Sequence, residues 1–248
     1  MLEKLLLAIP VFNEAKYVCD VLAMAKRHCR DILVIDDGSS DRTPEILGQE
    51  KGIHVLTHSE NRGYGKSVAD AFDFAQKRDF DWLITMDCDG QHQPSCIPSF
   101  MALARQGDVD IISGTRYPPG RDGNGVAPPE RREINRRITA ILNNRLGLQL
   151  TDAFCGFKAY RVAALSAIAT TVPGYAMPMQ FWVQASRANL RIREYPVPLI
   201  YDDPNRYFGG TLDDPAVRLT HYLEVLEAEL NTVSSDASQK RFGCVSCH

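Results

Sequence analysis

Short apolar runs and helical patterns alternate along the first half of the chain. The apolar runs cover residues 5–12, 32–36, 55–57, 82–87 and 109–114. Between them, apolar residues recur with the spacing of amphipathic helices in the segments 15–28, from 43 onward, 65–77 and 97–105. Strict alternation of strand and helix predicts an α/β protein with a Rossmann-like, mainly parallel sheet that helices flank on both faces. Ligands of such sheets bind at the carboxyl ends of the strands, where the loops begin.

The second half begins with a segment dense in proline and glycine, residues 117–129, which predicts a mobile loop. The elements expected after it are a basic helix at 130–146, an extended segment at 154–160, a short helix from 162, a helix at 179–188 and a strand at 190–200. A last helix is expected at 215–230, with Asp214 as its N-cap. The chain after it is polar and rich in serine, so we expect one folded domain over residues 1–231 and a disordered tail over 232–248.

The composition is typical of a globular protein, with 248 residues of which 44% are hydrophobic and 24% charged. No apolar run approaches the about 18 residues of a membrane-spanning helix, and the apolar stretch near the N-terminus is too short for a signal peptide. We therefore expect a cytoplasmic chain without spanning helices. The net charge of −3 carries no information about partners, and we expect no nucleic acid among them.

The cysteine pattern points to the same compartment. There are seven cysteines, an odd number, and five of them lie in predicted helices, strands or their junctions, as expected of reduced thiols in the cytosol. The terminal segment with Cys244 and Cys247 has the spacing of a haem c attachment motif. Haem attachment requires export, for which the sequence shows no signal. A metal site remains an alternative, and an unstructured tail is the interpretation we favour.

Two carboxylates and an amide follow the apolar run that ends near residue 86. In the segment MDCDGQH, Asp87 and Asp89 stand one residue apart, and Gln91 follows. Carboxylates at the end of a strand can bind a Mg²⁺ or Mn²⁺ ion that bridges a diphosphate. An Asp-x-Asp pair taken alone is more often a solvated turn. The metal interpretation therefore depends on what the neighbouring strand ends carry.

Three further loops carry polar groups in equivalent places. The first predicted strand ends with Pro10, Asn13 and Glu14, and the second ends with the segment DDGSSD. The third loop, NRGYGK at 61–66, opens a helix whose N-terminus favours anionic groups. The acidic residues of DDGSSD also fit a simple turn with a helix cap. Four strand ends with polar groups nevertheless favour a single ligand site.

Several sequence segments resemble those of a known family and occur in the same order along the chain. They run from residue 9 to residue 211 and read IPVFNEA, VIDDGSSDRT, NRGYGK, MDCDGQHQP, SGTRY, TDAFCGFKAYR and PNRYFGGT. The chain resembles glycosyltransferase family 2 with a GT-A fold, close to the dolichyl-phosphate or polyprenyl-phosphate sugar synthases. The resemblance implies a metal-dependent, inverting enzyme. It would move a hexose, mannose or glucose, from a GDP- or UDP-linked sugar to a polyprenyl or dolichyl phosphate.

The resemblance also assigns roles to particular residues. The nucleotide-sugar site is implied to comprise Pro10, Asn13, Glu14, Asp37, Lys66, Asp87 and Arg206. The implied ligands of the Mg²⁺ or Mn²⁺ ion are Asp87, Asp89 and Gln91. The implied acceptor-binding residues are Arg116, Arg131 and Asn135. Asp89, Arg116 and Asp152 are implied to be catalytic. Many relatives have serine at the positions of Asn135 and Cys155, which leaves the acceptor preference open.

The role of Asp152 depends on the acceptor. A hydroxyl acceptor needs a general base, and Asp152 occupies the position where the family carries a suitable aspartate. A phosphate acceptor is already ionised near neutral pH, so cationic side chains matter more than a base. For each candidate arginine, a surface ion pair is the alternative. His92, beside the metal motif, could be a ligand, but a surface histidine next to a turn is the commoner case.

Three functions remain open at this point. We favour transfer to a polyprenyl phosphate, with peripheral contact at the cytoplasmic face of the membrane. The second is a family 2 transferase that acts on a carbohydrate or other hydroxyl, with Asp152 as base. The third is a nucleotide-sugar-binding protein without catalysis. Convergence of Arg116, Arg131 and Asn135 on one anion pocket would favour the first.

Overall fold

A computed structural model of the chain describes residues 3–120, 127–201 and 208–239. The strands of the described residues form one sheet: β1 (Leu5–Val11), β2 (Asp31–Asp36), β3 (His54–Thr57), β4 (Trp82–Thr85), β5 (Ile111–Thr115), β6 (Lys158–Arg161) and β7 (Ile192–Pro196). Their order across the sheet is β3-β2-β1-β4-β6-β5-β7. The predicted α/β class with a mainly parallel sheet is confirmed.

Helices cover both faces of this sheet. They are α1 (Val18–Ala25), α2 (Thr43–Gln49), α3 (Tyr64–Lys77), α4 (Ile97–Ala104), α5 (Pro129–Leu146), α6 (Met177–Arg187) and α7 (Pro215–Gln239). Pro129 and Pro215 occupy first helical positions, where a missing N–H loses no hydrogen bond. α5 ends at Gly147, whose φ of 67° is the left-handed conformation that glycine adopts without strain.

The core consists of two layers because the side chains of the strands alternate. On β1, Leu6 and Ala8 pack with α3, α5 and α6, whereas Leu7 and Ile9 pack with α1 and α4. All four side chains are at most 1% exposed. Strands buried on both faces explain why the sequence shows continuous apolar runs here rather than alternation.

One strand runs against the others. β1 is parallel to β2 and β4, β2 is parallel to β3, and β5 is parallel to β7. β6 lies antiparallel between β4 and β5. An antiparallel strand starts at the edge where its neighbours end. The loop that precedes β6, which carries Asp152, therefore lies beside the carboxyl ends of β4 and β5.

The last helix is longer than expected. Asp214 Oδ1 accepts hydrogen bonds from the backbone N–H groups of Ala216 and Val217, which confirms the predicted N-cap. α7 then continues to Gln239 instead of ending near residue 230, since no proline or glycine interrupts residues 216–239. The expected helix end near residue 230 therefore moves to Gln239, and the expected disordered tail stays a prediction.

Three features named from the sequence fall outside the described residues: the middle of the Pro/Gly-rich loop at 121–126, Arg206, and the pair Cys244 and Cys247. Within the described ranges, no helix combines the length and the apolar character that crossing a membrane requires.

Candidate active site

The end of β1 is held against the turn that follows β2. Asn13 has a φ of 58°, a left-handed conformation that asparagine tolerates better than most residues. Its side-chain Oδ1 accepts hydrogen bonds from the backbone N–H groups of Ser40, at 2.8 Å, and Asp41, at 3.2 Å. Glu14, next along the chain, is 8% exposed, and its backbone N–H donates to Thr43 Oγ1. The two predicted nucleotide-site residues therefore fix the geometry of this edge, beside Pro10 on β1.

Asp37, just after β2, anchors the loop at 61–66. Its carboxylate accepts the backbone N–H groups of Arg62 and Gly63, each at 2.8 Å. The imidazole Nδ1 of His58, which follows β3, lies 2.6 Å from Asp37 Oδ1. Asp37 and His58 are both buried. The family resemblance implied a nucleotide-site role for Asp37, and in the structure its carboxylate holds the loop at 61–66.

The chain of polar contacts continues from His58 to α3. His58 Nε2 lies 2.8 Å from Asp70 Oδ2, and Lys66 forms an ion pair with the same Asp70. Burial would raise the pKa of Asp70, but hydrogen bonds from Lys66 and His58 outweigh it and lower that pKa. The ammonium group of Lys66, assigned to the nucleotide sugar, is thus engaged on its own helix in this structure.

The end of β4 carries the predicted metal motif. Asp89 Oδ1 accepts the backbone N–H of Gln91 at 2.9 Å, which closes the turn. The backbone N–H of Asp87 donates to Nδ1 of His92 at 3.0 Å. His92 is 5% exposed, so the expectation of a surface histidine was wrong. Burial lowers the pKa of His92, whose Nδ1 holds the backbone of Asp87 in place.

Asp87 has the character of a cation ligand. Its Oδ1 is buried and has no hydrogen-bond partner among the described residues. An added Cβ at Gly156 would lie 2.6 Å and 2.7 Å from the two carboxylate oxygens, so any other residue would crowd the carboxylate. A buried carboxylate oxygen without a partner is destabilising unless a cation binds it.

The candidate ligand atoms in the loop after β4 fit a hard divalent ion. The oxygens of Asp87, Asp89 and Gln91 are the ligand type that Mg²⁺ and Mn²⁺ prefer. In the part of the chain that the structure describes, no group of three or more His, Cys, Asp or Glu side chains could enclose a metal. An ion here would therefore take its remaining ligands from a bound diphosphate or water, as Mg²⁺ usually does.

A buried ion pair joins the end of β5 to the loop before β6. Arg116 donates from Nε to Asp152 Oδ2 at 2.7 Å and from Nη2 to Asp152 Oδ1 at 3.0 Å. Asn135 of α5 donates to Oδ1 at 2.7 Å. Backbone N–H groups of Arg116, Phe154 and Cys155 complete the shell of Asp152. Glu194 of β7 holds the preceding backbone by accepting the N–H groups of residues 151 and 152.

The protonation of Asp152 follows from this shell. Its burial, at 0% exposure, favours the neutral acid, but the charge and hydrogen bonds of Arg116 outweigh burial and lower its pKa far below the ordinary value. The same pairing raises the pKa of Arg116 against its own burial. A carboxylate with so low a pKa and so many bound donors is a weak general base.

Arg131 lies elsewhere on α5. Its Nη1 donates to Tyr201 Oη at 2.5 Å, and its guanidinium lies 4.6 Å from the ring centroid of Phe208. The structure therefore gathers Arg116 and Asn135 around Asp152, with Arg131 one helical turn before Asn135 rather than in the same cluster. Whether all three converge on one anion pocket stays an open question of the sequence analysis.

Tyr175 connects the surroundings of Arg131 with the acidic residues at the strand ends. Although Tyr175 is 41% exposed, partial desolvation raises its pKa first, the negative charges of Asp87, Glu14 and Asp37 raise it further, and Arg131 lowers it. Its ring stacks on Tyr64, whose pKa the neighbouring charge of Asp87 raises in addition to burial, and contacts Phe208 edge-on. Charged residues from the ends of β1, β2 and β4 thus influence the same tyrosine as Arg131. All of these strand ends lie at the carboxyl edge of the sheet.

A model of glycosyl transferase family 2 matches residues 7–169, more than half of the chain, and the chain therefore belongs to this family. It is 29% identical over 230 residues to an undecaprenyl-phosphate mannosyltransferase of Micrococcus luteus, which covers 88% of this chain and 93% of the relative. It is 26% identical over 205 residues to a polyprenol monophosphomannose synthase of Mycolicibacterium smegmatis, which covers 79% of this chain and 77% of the relative.

Solved structures support the fold. A glucosyl-3-phosphoglycerate synthase from Mycobacterium tuberculosis, crystallised with Mn²⁺, uridine diphosphate and glucosyl-3-phosphoglycerate, superposes with a TM-score of 0.68 at 16% identity. The superposition covers 93% of this chain and 79% of that one. The likeness confirms the GT-A fold expected from the sequence segments.

The sequence analysis missed several residues of this site. His58 follows β3 at the carboxyl edge, so the strand-end rule that selected Asp37 also indicated His58. Tyr175 and Phe208 carried no signal that separates a site aromatic from a core aromatic. Their position became visible only in the contacts described above.

Proposed function

We propose that this family 2 glycosyltransferase moves a hexose, mannose or glucose, from a GDP- or UDP-linked sugar to a polyprenyl phosphate. An oxygen of the acceptor phosphate forms a bond to the anomeric carbon as the bond from that carbon to the diphosphate breaks. The nucleoside diphosphate leaves, and the anomeric configuration inverts. The undecaprenyl-phosphate and polyprenol relatives support a lipid-linked phosphate as the acceptor class.

The observation that carries this proposal is the engagement of Asp152. A hydroxyl acceptor must lose a proton, and the candidate base Asp152 is held as a carboxylate by Arg116, Asn135 and backbone N–H groups. A phosphate acceptor arrives already ionised near neutral pH and needs no base. We therefore assign Asp152 to the orientation of Arg116 and Asn135 beside the acceptor, rather than to proton transfer.

The donor end of the site needs positive charge for the departing diphosphate. We propose that Asp87 and Asp89, with Gln91, hold a Mg²⁺ or Mn²⁺ ion, and the unpaired Oδ1 of Asp87 supports this. When bound, the ion would neutralise charge that develops on the leaving diphosphate. Asp37 and Asn13 keep the two loops around the nucleotide in place. Arg206, which lies outside the described residues, stays a proposed residue of the nucleotide-sugar site.

Membrane contact is proposed to be peripheral. Arg132 and Arg137 of α5 are exposed, and they belong to the helix that carries Arg131 and Asn135. Exposed basic side chains are attracted to anionic lipid headgroups. Such contact at the cytoplasmic face would bring the phosphate of a membrane-bound acceptor to the carboxyl edge of the sheet.

The test is a transfer assay with purified protein, Mn²⁺ or Mg²⁺, and a panel of GDP- and UDP-linked mannose and glucose. A short-chain polyprenyl phosphate and the matching polyprenol are the two acceptors. We expect product with polyprenyl phosphate but not with polyprenol, and loss of activity in EDTA. Asp89→Ala should lower kcat by about 100-fold or more, with an unchanged melting temperature, because it removes charge stabilisation and no core contact.

Asp20→Ala, which removes an exposed carboxylate of α1, is the matched control and should behave as wild type. Transfer to the polyprenol would return Asp152 to the role of base. Full turnover in EDTA would remove the metal assignment. Tight nucleotide-sugar binding without transfer to either acceptor would favour a binding protein.

A further inference from the structure

Arg218 is a buried arginine with an unused donor. It lies in the first turns of α7 and is 3% exposed. Its Nη1 donates to the backbone carbonyl of Leu212 at 2.7 Å. Its Nη2 is buried and has no hydrogen-bond partner among the described residues. A guanidinium carries five N–H donors, and leaving one buried and unpaired is destabilising.

Among the described residues, the charge of Arg218 also lacks a close counter-ion. No ion pair within the described ranges involves it. Burial lowers its pKa, the nearby positive charge of Arg131 lowers it further, and Tyr222, Glu130 and Asp213 offset this only in part. Natural proteins seldom bury a charge without compensation unless a ligand supplies it.

Arg218 and Arg131 share an aromatic support. The guanidinium of Arg218 lies 4.3 Å from the ring centroid of Phe208, and that of Arg131 lies 4.6 Å from the same centroid. Both guanidinium groups therefore lie over one ring through cation–π contacts. Two guanidinium groups at one ring together offer several N–H donors to an anion with several oxygens.

This arginine pair adjoins the proposed reaction centre. Phe208 contacts Tyr175, and Tyr175 stacks on Tyr64 beside Asp87. Arg131 lies one helical turn before Asn135, which binds Asp152. Contacts therefore link the pair to Asp87 through the two tyrosines, and α5 links it to the Arg116 ion pair through Asn135.

We infer that Arg218, together with Arg131, binds the phosphate of the lipid acceptor, with the unpaired Nη2 donating to a phosphate oxygen. This assignment rests on the proposed function and adds a residue of α7 to it. The phosphate would supply the negative charge that Arg218 lacks. Arg218 is a binding residue in this scheme, since it contacts the group that attacks the sugar.

A purely structural role for Arg218 makes a different prediction. If its aliphatic stem and guanidinium mainly held α7 against Phe208, replacing it would lower stability and leave the acceptor KM unchanged. If it holds an uncompensated charge for a ligand, Arg218→Met should keep or raise the melting temperature, because a buried charge is removed while most of the side-chain volume stays.

The experiment compares wild type, Arg218→Met and Arg218→Lys in the transfer assay in detergent. For Arg218→Met we expect about a tenfold or larger rise in the acceptor KM, an unchanged donor KM, and no loss of melting temperature. Arg218→Lys should recover part of the affinity because it restores the charge without the fork of donors. Arg145→Met is the control, since Arg145 also touches α7, through an exposed pair with Glu227.

Two binding measurements separate the sources of phosphate. Inorganic phosphate, at constant ionic strength, should raise the melting temperature of wild type and do so less for Arg218→Met. Flotation with phosphatidylglycerol vesicles that lack acceptor should be equal for the two. A variant that loses vesicle binding but keeps the acceptor KM would assign Arg218 to headgroups and overturn the inference.

Failure of the inference is distinct from failure of the proposed function. If wild type uses polyprenyl phosphate and Arg218→Met keeps the wild-type acceptor KM, only the role of Arg218 is overturned. Wild type that does not use polyprenyl phosphate would overturn the proposed function. In that case, loss of phosphate-induced stabilisation in Arg218→Met would still support an anion site, and unchanged stabilisation would exclude it.

Discussion

Two arginines of this protein lie near the same site, Arg116 with its side chain 18% exposed and Arg218 buried, and their surroundings differ. Arg116 lies in a region where the chain supplies the counter-charge, because Asp152 accepts two of its N–H groups and is itself held by Asn135. Arg218 lies in a region where an aromatic ring and one carbonyl are its main contacts. Pairing raises the pKa of Arg116, and burial lowers that of Arg218.

The difference distinguishes charges that are paired within the chain from charges that are available to a ligand. Buried polar groups in native proteins are nearly always paired, so an exception needs an explanation. Among the described residues, the buried side-chain atoms without a hydrogen-bond partner are Asp87 Oδ1 and Arg218 Nη2. One suits a cation and the other an anion, in keeping with the proposed binding of a metal-bound diphosphate and a phosphate acceptor.

The largest effect is expected where a compensated charge loses its partner. Asp152→Asn would leave Arg116 buried without a counter-ion, and we expect a loss of about 3–5 kcal/mol in the free energy of unfolding. Chemical denaturation measures it. Adding Arg116→Met should recover part of the loss, since the uncompensated charge is then gone. A loss below about 1 kcal/mol for Asp152→Asn would show that the ion pair does not hold this region together.

A smaller effect is expected in the second network of paired charges, which His58 forms with Asp37 and Asp70. His58→Gln would break the contacts to Asp37 and Asp70. We expect a loss of about 1–3 kcal/mol in stability and weaker donor binding, because Asp37 then holds the loop at 61–66 less firmly. Denaturation and a nucleotide titration measure the two effects. His28→Gln, at an exposed position, is the control, and equal behaviour of both variants would rule out a role for His58.

A pH effect is expected at a compensated carboxylate far from the site. Hydrogen bonds from Arg191, chiefly, lower the pKa of Asp110 from 3.8 to about 2, outweighing its burial. Because the folded-state pKa is depressed, the ionised form stabilises the fold above the ordinary value, and this contribution is lost as the pH falls from 3.8 towards about 2. Asp110→Asn should flatten the acid limb of the stability profile there. An unchanged limb would contradict this.

The smallest effect is expected for an exposed pair. Arg145 and Glu227 join α5 to α7, and their side chains are 45% and 49% exposed. Solvent screens such a pair, so Arg145→Met should change the free energy of unfolding by less than about 1 kcal/mol. A larger loss would mean that burial alone does not distinguish the important charges of this protein.

The sequence determined much of the sheet and its ligand edge. Apolar runs and helical spacing are local patterns, and they located the strands and helices closely enough to place Asp37, Asp87 and Asp89 at strand ends. The parallel-sheet rule then predicted their convergence without any knowledge of contacts. His58 obeyed the same rule and was overlooked.

The tertiary structure decided which charges are compensated. Arg116 and Asp152 are 36 residues apart and meet only because β6 inserts antiparallel between β4 and β5. In sequence, Arg218 is simply a polar position of an amphipathic helix, and its burial against Phe208 depends on how α7 packs. Local periodicity encodes elements, whereas the pairing of a charge depends on chain segments that are distant in sequence and are brought together by packing of the core.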